Sequence, residues 1–436
     1  MKKFFKRALL LTAAVCAVWT PFGGAAYANE NAAGKTLTIS VFVENEVLNA
    51  AARKFEESHA GVNVDIVPLF KDSSEINGMA YENDVQRYSQ QVNTALISGG
   101  GEDIISVGEI TWSKLADRGK LADLNEYLTF PEGAYYQNVL DAFLYKGKRY
   151  TVPLCFSFDV AIRDADFDRN NFIGAEPPTD LSMDELFALA DNLDTPLFNY
   201  GTERHNKFDQ INIAAHVFNV YFKDFIDMEN KKADVNNETF VSLLKSVQAL
   251  HNAGKLYPGD RVGSLNGLIT IFQAYSPLES SLGVIDYTGM FFISGSGGQN
   301  RIGANGLLNF MPAINANSQH KALAAEFITF LLSDEMQTSP EIMFFSPVNK
   351  KAAAEMARLN YESYRNSGIF IPEGFDLEKN IAAFEKLANR LTHTDYNDRQ
   401  IQYFVRAEME RYFGGETSAE QAAQNLQSKL TLYLQE

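Results

Sequence analysis

The residues of this chain that could do chemistry fall into two sets, and the first fails on spacing. Asp164, Asp166 and Asp168 have the alternation of a calcium loop. However, Arg169 stands where the sharp turn needs glycine, and Glu176 falls one place beyond the bidentate position, so a solvated acidic loop is expected. Gly295-Ser296-Gly297-Gly298 lacks the third glycine of a dinucleotide fingerprint and reads as a turn. His59, His205, His216, His251, His320 and His393 show no zinc-ligand spacing. No G-x-S-x-G elbow, Walker A loop or H-E-x-x-H helix occurs. No catalytic residue, metal or cofactor is therefore expected, and the chain does not read as an enzyme.

The second set consists of aromatic and hydrogen-bonding groups that follow predicted strands, where open α/β sheets hold their ligands. Glu44 and Asn45 follow the first strand, Asp72 and Ser73 the second, and Gly108, Glu109 and Trp112 the third. Phe156, Phe158 and Asp159 sit where the chain enters a new element, Tyr200 and Glu203 follow a short strand, and Tyr275 and Ser276 follow Ile269–Phe272. Tyr287 is a further candidate. Each has a structural reading beside the functional one. Asn45 and Asp72 suit helix caps. Trp112, spaced helically with Leu115 and Ala116, suits a core, as do Phe156, Phe158, Phe344 and Phe345. Asp159, set in an apolar run, calls for a partner.

The elements that must position these groups are legible. Leu37–Val43 is a β-rich run, a helix follows through Val47, Ala51 and Phe55, and Val62–Val67 is a second strand. A helix through Val85, Tyr88, Val92 and Leu96 stops at Gly99-Gly100-Gly101 before the strand Ile104–Val107. Lys146–Pro153 reads as a hairpin edge, Ser182 caps a helix, and Phe240–Leu250 marks another. In the segment Asn309–Ala354 an apolar strand precedes a helix with N-cap candidates Asn317 and Ser318 and a stripe of Leu323, Phe327, Ile328, Leu331 and Leu332. Ser333 and Asp334 restart that helix, Pro340 ends it and Pro347 turns the chain away. Two closing helices follow, one ending at Gly414-Gly415 and one opening on a capping box of Thr417 and Glu420.

These motifs, in this order, resemble the bacterial extracellular solute-binding proteins of family 1, the receptors of carbohydrate ABC importers. Ser98-Gly99-Gly100-Gly101-Glu102-Asp103 is similar to the family's "sG-x-x-PD" segment, with Glu102 where proline is usual. Ala116–Leu124 resembles its "a-x-x-G-x-L-x-p-L", Gly147–Pro153 its "gk-x-Y-g-x-P", Pro177–Asp180 its "pPtt", and Thr417–Glu436 its closing helix. The resemblance covers nearly the whole chain after the N-terminal segment. It implies an α/β, two-lobe periplasmic-binding-protein-like fold of type II, with a solute cleft between lobes that close by hinge motion. Crossings are expected near Pro153–Phe158, Leu308–Ala313 and Phe345–Lys350. One lobe would take residues 29–153 plus 311–347, the other 154–310 plus 348–436.

The N-terminus carries an export signature: Lys2, Lys3, Lys6 and Arg7, an apolar Ala8–Trp19, and Ala26-Tyr27-Ala28 before Asn29. Residues 1–28 are expected to be a signal peptide cleaved after Ala28. Lipid anchoring at Cys16 is disfavoured by the bulky Val15 beside it. No later stretch reaches the roughly eighteen apolar residues of a membrane span. Cys155 is then the one remaining cysteine, so no internal disulfide is possible. The formal charge is −17, and loss of four basic residues with the signal takes it to −21. Such a balance argues against nucleic acid and anionic lipid as partners, since both need clustered Lys and Arg.

The resemblance thus implies an exported monomer, extracellular or cell-surface associated (periplasmic in a bacterium with an outer membrane). Such a receptor binds a sugar or oligosaccharide and hands it to ABC permease subunits. In this family aromatic rings stack on sugar faces while acids and amides take hydroxyls. That role falls on Glu44, Asn45, Glu109, Trp112, Phe156, Asp159, Tyr200, Glu203, Tyr275 and Ser276. The rival classes are a secreted glycoside hydrolase, which needs only two suitably separated carboxylates, and a receptor of the same fold for a polyamine or peptide. On this reading Trp112→Ala and Tyr275→Ala should each weaken sugar binding in titrations with little loss of stability.

Overall fold

The computed structural model describes residues 34–71, 81–163, 180–190, 198–200, 209–256, 269–274, 276–278, 286–287, 290, 292–294, 301–303, 310–342, 345–394 and 398–436. The expected β-rich opening is strand β1 (Lys35–Val43), buried on both faces at its centre, which calls for helices on both sides. Helix α1 (Glu46–Ser58) turns Val47, Leu48, Ala51 and Phe55 inward, and β2 (Val62–Phe70) returns parallel to β1, from Lys35 opposite Val62 to Val43 opposite Phe70. Helix α2 (Tyr81–Ile97) covers the other face, bringing Val85, Tyr88 and Val92 against Phe42 and Phe70.

After α2 the chain reverses through Gly99 and Gly101, both left-handed at φ 85° and 92°, and enters β3 (Ile104–Ser106), parallel to β1. A Cβ on Gly101 would stand 3.3 Å from Leu96. Helices α3 (Trp112–Asp117) and α4 (Gln137–Asp141) follow, then a hairpin of β4 (Leu144–Tyr145) and β5 (Lys148–Arg149).

The chain next leaves to build a second sheet. Its strands are β6 (Cys155–Arg163), β8 (Phe198–Tyr200), β11 (Ile269–Ala274), β13 (Arg301–Gly303) and β16 (His393–Thr394), in the order β16-β13-β6-β11-β8. Two small pairs flank it: β7 (Asp180–Ser182) with β12 (Phe292–Ser294), and β9 (Ile226–Asp227) with β10 (Lys232–Ala233). Its helices are α5 (Met183–Ala190), α6 (Asp209–Val220), α7 (Phe222–Phe225) and α8 (Glu238–Asn252). Ser182 caps α5 as expected, its hydroxyl accepting from the Glu185 N–H at 3.2 Å.

Strand β14 (Pro312–Ile314) then returns to the first sheet, antiparallel to β3, completing the order β14-β3-β1-β2. Helix α9 (Lys321–Leu331) lays Phe327, Ile328 and Leu331 against the α1 face, with Phe327 edge-on to Phe55 at 5.1 Å. It starts later than the caps Asn317 and Ser318 suggest: the Ser318 hydroxyl donates to Asp103 at 2.6 Å and accepts from the His320 N–H at 2.9 Å, closing a turn ahead of the helix. Ser333 caps α10 (Asp334–Gln337), and β15 (Ser346–Pro347) leads back to the second sheet. The remainder is helical: α11 (Lys350–Ser367), α12 (Leu377–Ala388), α13 (Arg399–Phe413) and α14 (Ala419–Gln435). The cap of α14 is Ser418 rather than Thr417, its hydroxyl accepting from Gln421.

Two α/β lobes result, each a sheet with its covering helices. Where the chain passes between them the segments lie side by side. Ser346 and Pro347 pair antiparallel with Phe156 and Cys155, the Val348 N–H donates to the Leu154 carbonyl at 3.1 Å, and the Thr151 hydroxyl donates to the Pro312 carbonyl at 3.0 Å. The expected start of the middle crossing, Leu308 and Asn309, lies outside the described residues.

The first lobe is pinned through one carboxylate. Asp103 accepts from the Thr38 N–H and hydroxyl, both at 3.0 Å, from Ser318, and from His320 at 3.5 Å. Burial pushes the Asp103 carboxyl up, but the bonds from Ser318, Thr38 and His320 outweigh it and hold it below the ordinary value. Its contribution is therefore full above the unfolded pKa of about 3.9 and is lost as pH falls through the lower folded value. Asp103→Asn should lower stability at pH 7 by about 1–3 kcal/mol and flatten the acid limb of a urea-midpoint-against-pH curve. An unchanged acid limb would remove Asp103 from this role.

Candidate functional site

The third strand of the first sheet delivers the site. Beyond Ser106 the Val107 N–H donates to the Met311 carbonyl at 2.9 Å, which fixes the direction of the loop Gly108–Thr111 and of α3 behind it. Helix α3 is only six residues long, and its apolar side is anchored by Trp112 and Leu115, each 1% exposed. The Trp112 ring stands edge-on to Tyr145 at 5.9 Å. With that side fixed, Glu109, Thr111, Lys114 and Asp117 are left for the other. The last three recur at the i, i+3 spacing of one helix face.

All four touch the second lobe. Glu109 meets Arg399, at the start of α13, with Oε2 to Nη2 at 2.7 Å. Arg399 also donates to the Tyr81 hydroxyl at 3.0 Å, and its guanidinium lies 4.8 Å from the centre of that ring. Thr111 shares a hydrogen bond of 3.1 Å with the hydroxyl of Tyr433, near the end of α14. Lys114 donates to the Tyr433 carbonyl at 3.1 Å and sits 3.8 Å over its ring. Asp117 pairs with Lys231, in the turn between β9 and β10, at 3.1 Å. These contacts form a polar seam between the lobes.

Its electrostatics follow from burial. The Glu109 side chain is wholly buried, so the cation beside it offsets a desolvation cost that neither group would bear alone. Asp398, the cap of α13, accepts from the Tyr433 hydroxyl at 3.1 Å, and burial together with that carboxylate pushes the phenol well above its ordinary pKa. Burial lowers the Lys114 ammonium despite the opposing pull of Asp398 and Glu436. For Asp117, burial raises the pKa, but hydrogen bonds from Lys146 and Lys231 outweigh it and hold the carboxyl below its usual range. Tyrosine rings, carboxylates and a guanidinium along one seam are groups suited to non-covalent recognition of a hydroxyl-bearing molecule. Among the described residues no group of His, Cys, Asp or Glu is placed to hold a metal ion.

Of the residues singled out from sequence, Glu109 lies in this seam. Asp159 finds the partner its setting called for, His216 on α6, at 3.2 Å. Glu44 is half-buried and accepts from the Asn49 amide at 3.0 Å, while Asn45 caps α1 through the Leu48 N–H at 2.9 Å. Three expected contact residues are corrected. Trp112 is core. Phe156, 1% exposed, is packed edge-on to Tyr136 at 5.0 Å, and the Ser276 hydroxyl is buried and closes its own turn by accepting from the Leu278 N–H. Phe158 and Tyr287 are core as well. Tyr200 ends β8, its backbone opposite Ile271. Glu203, Tyr275, Asp72, Ser73, Phe344, the Asp164–Asp168 run and the Gly295–Gly298 turn lie outside the described residues.

Sequence reasoning missed Arg399, Tyr81, Tyr433 and Lys231. Asp398 ahead of the Ile401–Val405 stripe does mark a helix start, but nothing in that pattern says which lobe the first turn faces. A separate groove of about 310 Å³ lies within the second lobe between α5, α6 and α8, bordered by Met183, Phe187, Val217, Tyr221 and Leu243. It shares no residue with the seam.

The sequence profile of the bacterial extracellular solute-binding protein family matches residues 41–338. The chain belongs to this family. No curated protein matches the sequence. Among solved structures, the GacH receptor of Streptomyces glaucescens, studied unliganded and with acarbose, is similar at 17% identity and a TM-score of 0.53, over 92% of this chain and 99% of that one. The cyclic alpha-maltosyl-1,6-maltose binding protein of Arthrobacter globiformis is similar at 15% identity and a TM-score of 0.55, over 92% and 98%. An ABC substrate-binding protein of Listeria monocytogenes, in complex with cycloalternan, is similar at 16% identity and a TM-score of 0.53, over 92% and 99%. At these identities the likeness is one of fold, and the fold is the two-lobe architecture described above.

The core position of Trp112 replaces the expectation that its removal weakens sugar binding with little loss of stability. Trp112→Ala should cost about 3–5 kcal/mol in urea unfolding. A loss under about 1 kcal/mol would place the ring outside the core after all.

Proposed function

We propose that the protein is an exported receptor that captures a sugar or oligosaccharide between its lobes and delivers it to the permease of an ABC importer. The observation that carries this reading is the seam itself, in which aromatic and hydrogen-bonding groups of both lobes meet beyond the end of β3. Family membership supports a binding protein rather than an enzyme. The acarbose and cycloalternan bound by two of the similar proteins, and the cyclic maltosyl-maltose for which a third is named, support carbohydrate as the class. Arg399 and Tyr81 would meet the solute from the seam, with the buried Glu109 holding Arg399 in place and Glu44, Asn45, Asp159, Tyr200, Glu203 and Tyr275 contributing from the ends of neighbouring strands.

The lobes would divide as 29–153 plus 311–347 and 154–310 plus 348–436. Export rests on the signal-like residues 1–28, with cleavage after Ala28 and lipidation at Cys16 as the lesser route. No helix among the described residues is long and apolar enough to cross a membrane. The negative formal charge of −17 suits an uncharged solute better than an anionic one.

A thermal-shift screen of mono- and oligosaccharides tests the reading. A cognate sugar at a hundred times its Kd should stabilise the protein by about 2.7 kcal/mol, and Tyr275→Ala should weaken that sugar's binding with little change in unfolding. Turnover of a glycoside panel would replace the receptor with a hydrolase. Stabilisation by a polyamine or peptide alone would keep the fold and change the solute.

A further inference from the structure

A guanidinium stays protonated at any pH the protein meets, so the charge of Arg399 has to be matched by a carboxylate fixed beside it. Its neighbour Asp398 is engaged elsewhere, accepting from the Ile401 N–H and the Tyr433 hydroxyl, each at 3.1 Å. The match comes from the other lobe, where Glu109 Oε2 stands 2.7 Å from Arg399 Nη2.

The pair is lopsided. The Glu109 side chain is wholly buried while that of Arg399 is 30% exposed, so water and solutes reach the pair from the arginine side. The Tyr81 ring lies 4.8 Å from the guanidinium, and its hydroxyl accepts from the same Nη2 at 3.0 Å. The other cations described in the seam are matched too: Lys146 and Lys231 by Asp117, and Lys114 by the pull of Asp398 and Glu436. An arginine with no carboxylate behind it presents a charged fork that fits the oxygens of a carboxylate, phosphate or sulfate group. With the carboxylate in place, the same fork offers N–H groups to hydroxyls and little net charge to an anion.

We propose that Glu109 is a positioning residue that sets the charge class of the solute: by matching Arg399 from behind, it makes the site take uncharged sugars and refuse uronic acids and sugar phosphates or sulfates. This rests on the reading that Arg399 meets the solute. Glu109 itself touches none. A purely structural role, steadying the start of α13 against the first lobe, would weaken every solute alike on its removal and leave the preference among charge classes unmoved.

The test compares charge classes by calorimetric titration at about 0.15 M salt, where the long-range field of the whole chain is screened beyond about 8 Å. The probes are trisaccharides of glucose, galactose and mannose, the same sugars as uronates and as 2-amino sugars, and sodium sulfate as an anion without a sugar. Wild type should take the neutral member of a set and refuse its uronate and sulfate. Glu109→Gln keeps the shape and an acceptor oxygen but removes the charge opposite Arg399. The ratio of uronate Kd to neutral Kd should then fall about tenfold, and sulfate should bind saturably. Arg399→Gln removes the opposite charge and should move the preference toward the 2-amino sugars, which decides the question where Glu109→Gln does not fold. The double variant, with both charges gone, should lose the sulfate binding again. Single variants that keep the wild-type charge preference overturn the proposal, as does a wild type that prefers a uronate. No sugar bound by wild type, with sulfate binding gained in Glu109→Gln, counts against the receptor reading and leaves the charge matching standing.

Discussion

The architecture depends on a short stretch of backbone pairing. Cys155 and Phe156 exchange ladder contacts with Pro347 and Ser346, and Val348 donates to Leu154, so two chain segments that run between the lobes are bonded to each other as they cross. Irregular backbone in a buried place needs partners for its polar groups, and here each crossing supplies them to the other. Phe156 and Phe158, stacked at 6.0 Å, then carry the apolar core from one lobe into the next, with Phe384 of α12 against both. The lobes are therefore joined at one margin by paired strands and packed rings, while every polar contact described in the seam at α3 involves at least one side chain. A joint of the first kind bends, and a joint of the second kind can part.

This contrast also accounts for the buried chemistry at the two joints. Cys155 sits at the crossing without exposure, and burial pushes its thiol far above the ordinary pKa, so it behaves as an apolar side chain. Along the seam the opposite holds. Hydrogen bonds from Lys146 and Lys231 keep the Asp117 carboxyl below its usual range, Glu109 pairs with Arg399 and Asp398 accepts from Tyr433, which makes each carboxylate's environment a function of how the lobes sit. Arg399, Lys114 and Lys231 stand along the seam among the carboxylates of Glu109, Asp117 and Asp398.

Much of the first lobe was legible because its signals are local. The alternation in Leu37–Val43, the Asn45 cap and the Gly99–Gly101 reversal each follow from backbone chemistry within a few residues. Reading failed where a long-range partner decided the outcome. The start of α9 lies past Ser318, whose hydroxyl bonds both Asp103 and the His320 N–H in a turn before the helix, and Trp112 went to the core because Tyr145 and Tyr150, distant in sequence, pack against its ring. The seam was the least legible part. Glu109 could be placed by its position after β3, but Arg399 and Lys231 gain meaning only from the placement of one lobe against the other, which no window of sequence contains.

The return of β14 to the first sheet has a consequence in time. That sheet takes three strands from residues 35–106 and its fourth from residues 312–314, and α9, which covers the β1 face, comes later still. A ribosome must therefore add some two hundred further residues before the first lobe can close its edge. Contacts so distant in sequence form late and slowly, and until then Ile104, Ile105 and the α1 face present uncovered apolar surface. Synthesis order and sheet order are thus uncoupled here, and a chain that stopped short of residue 312 would lack both the edge strand β14 and the covering helix α9.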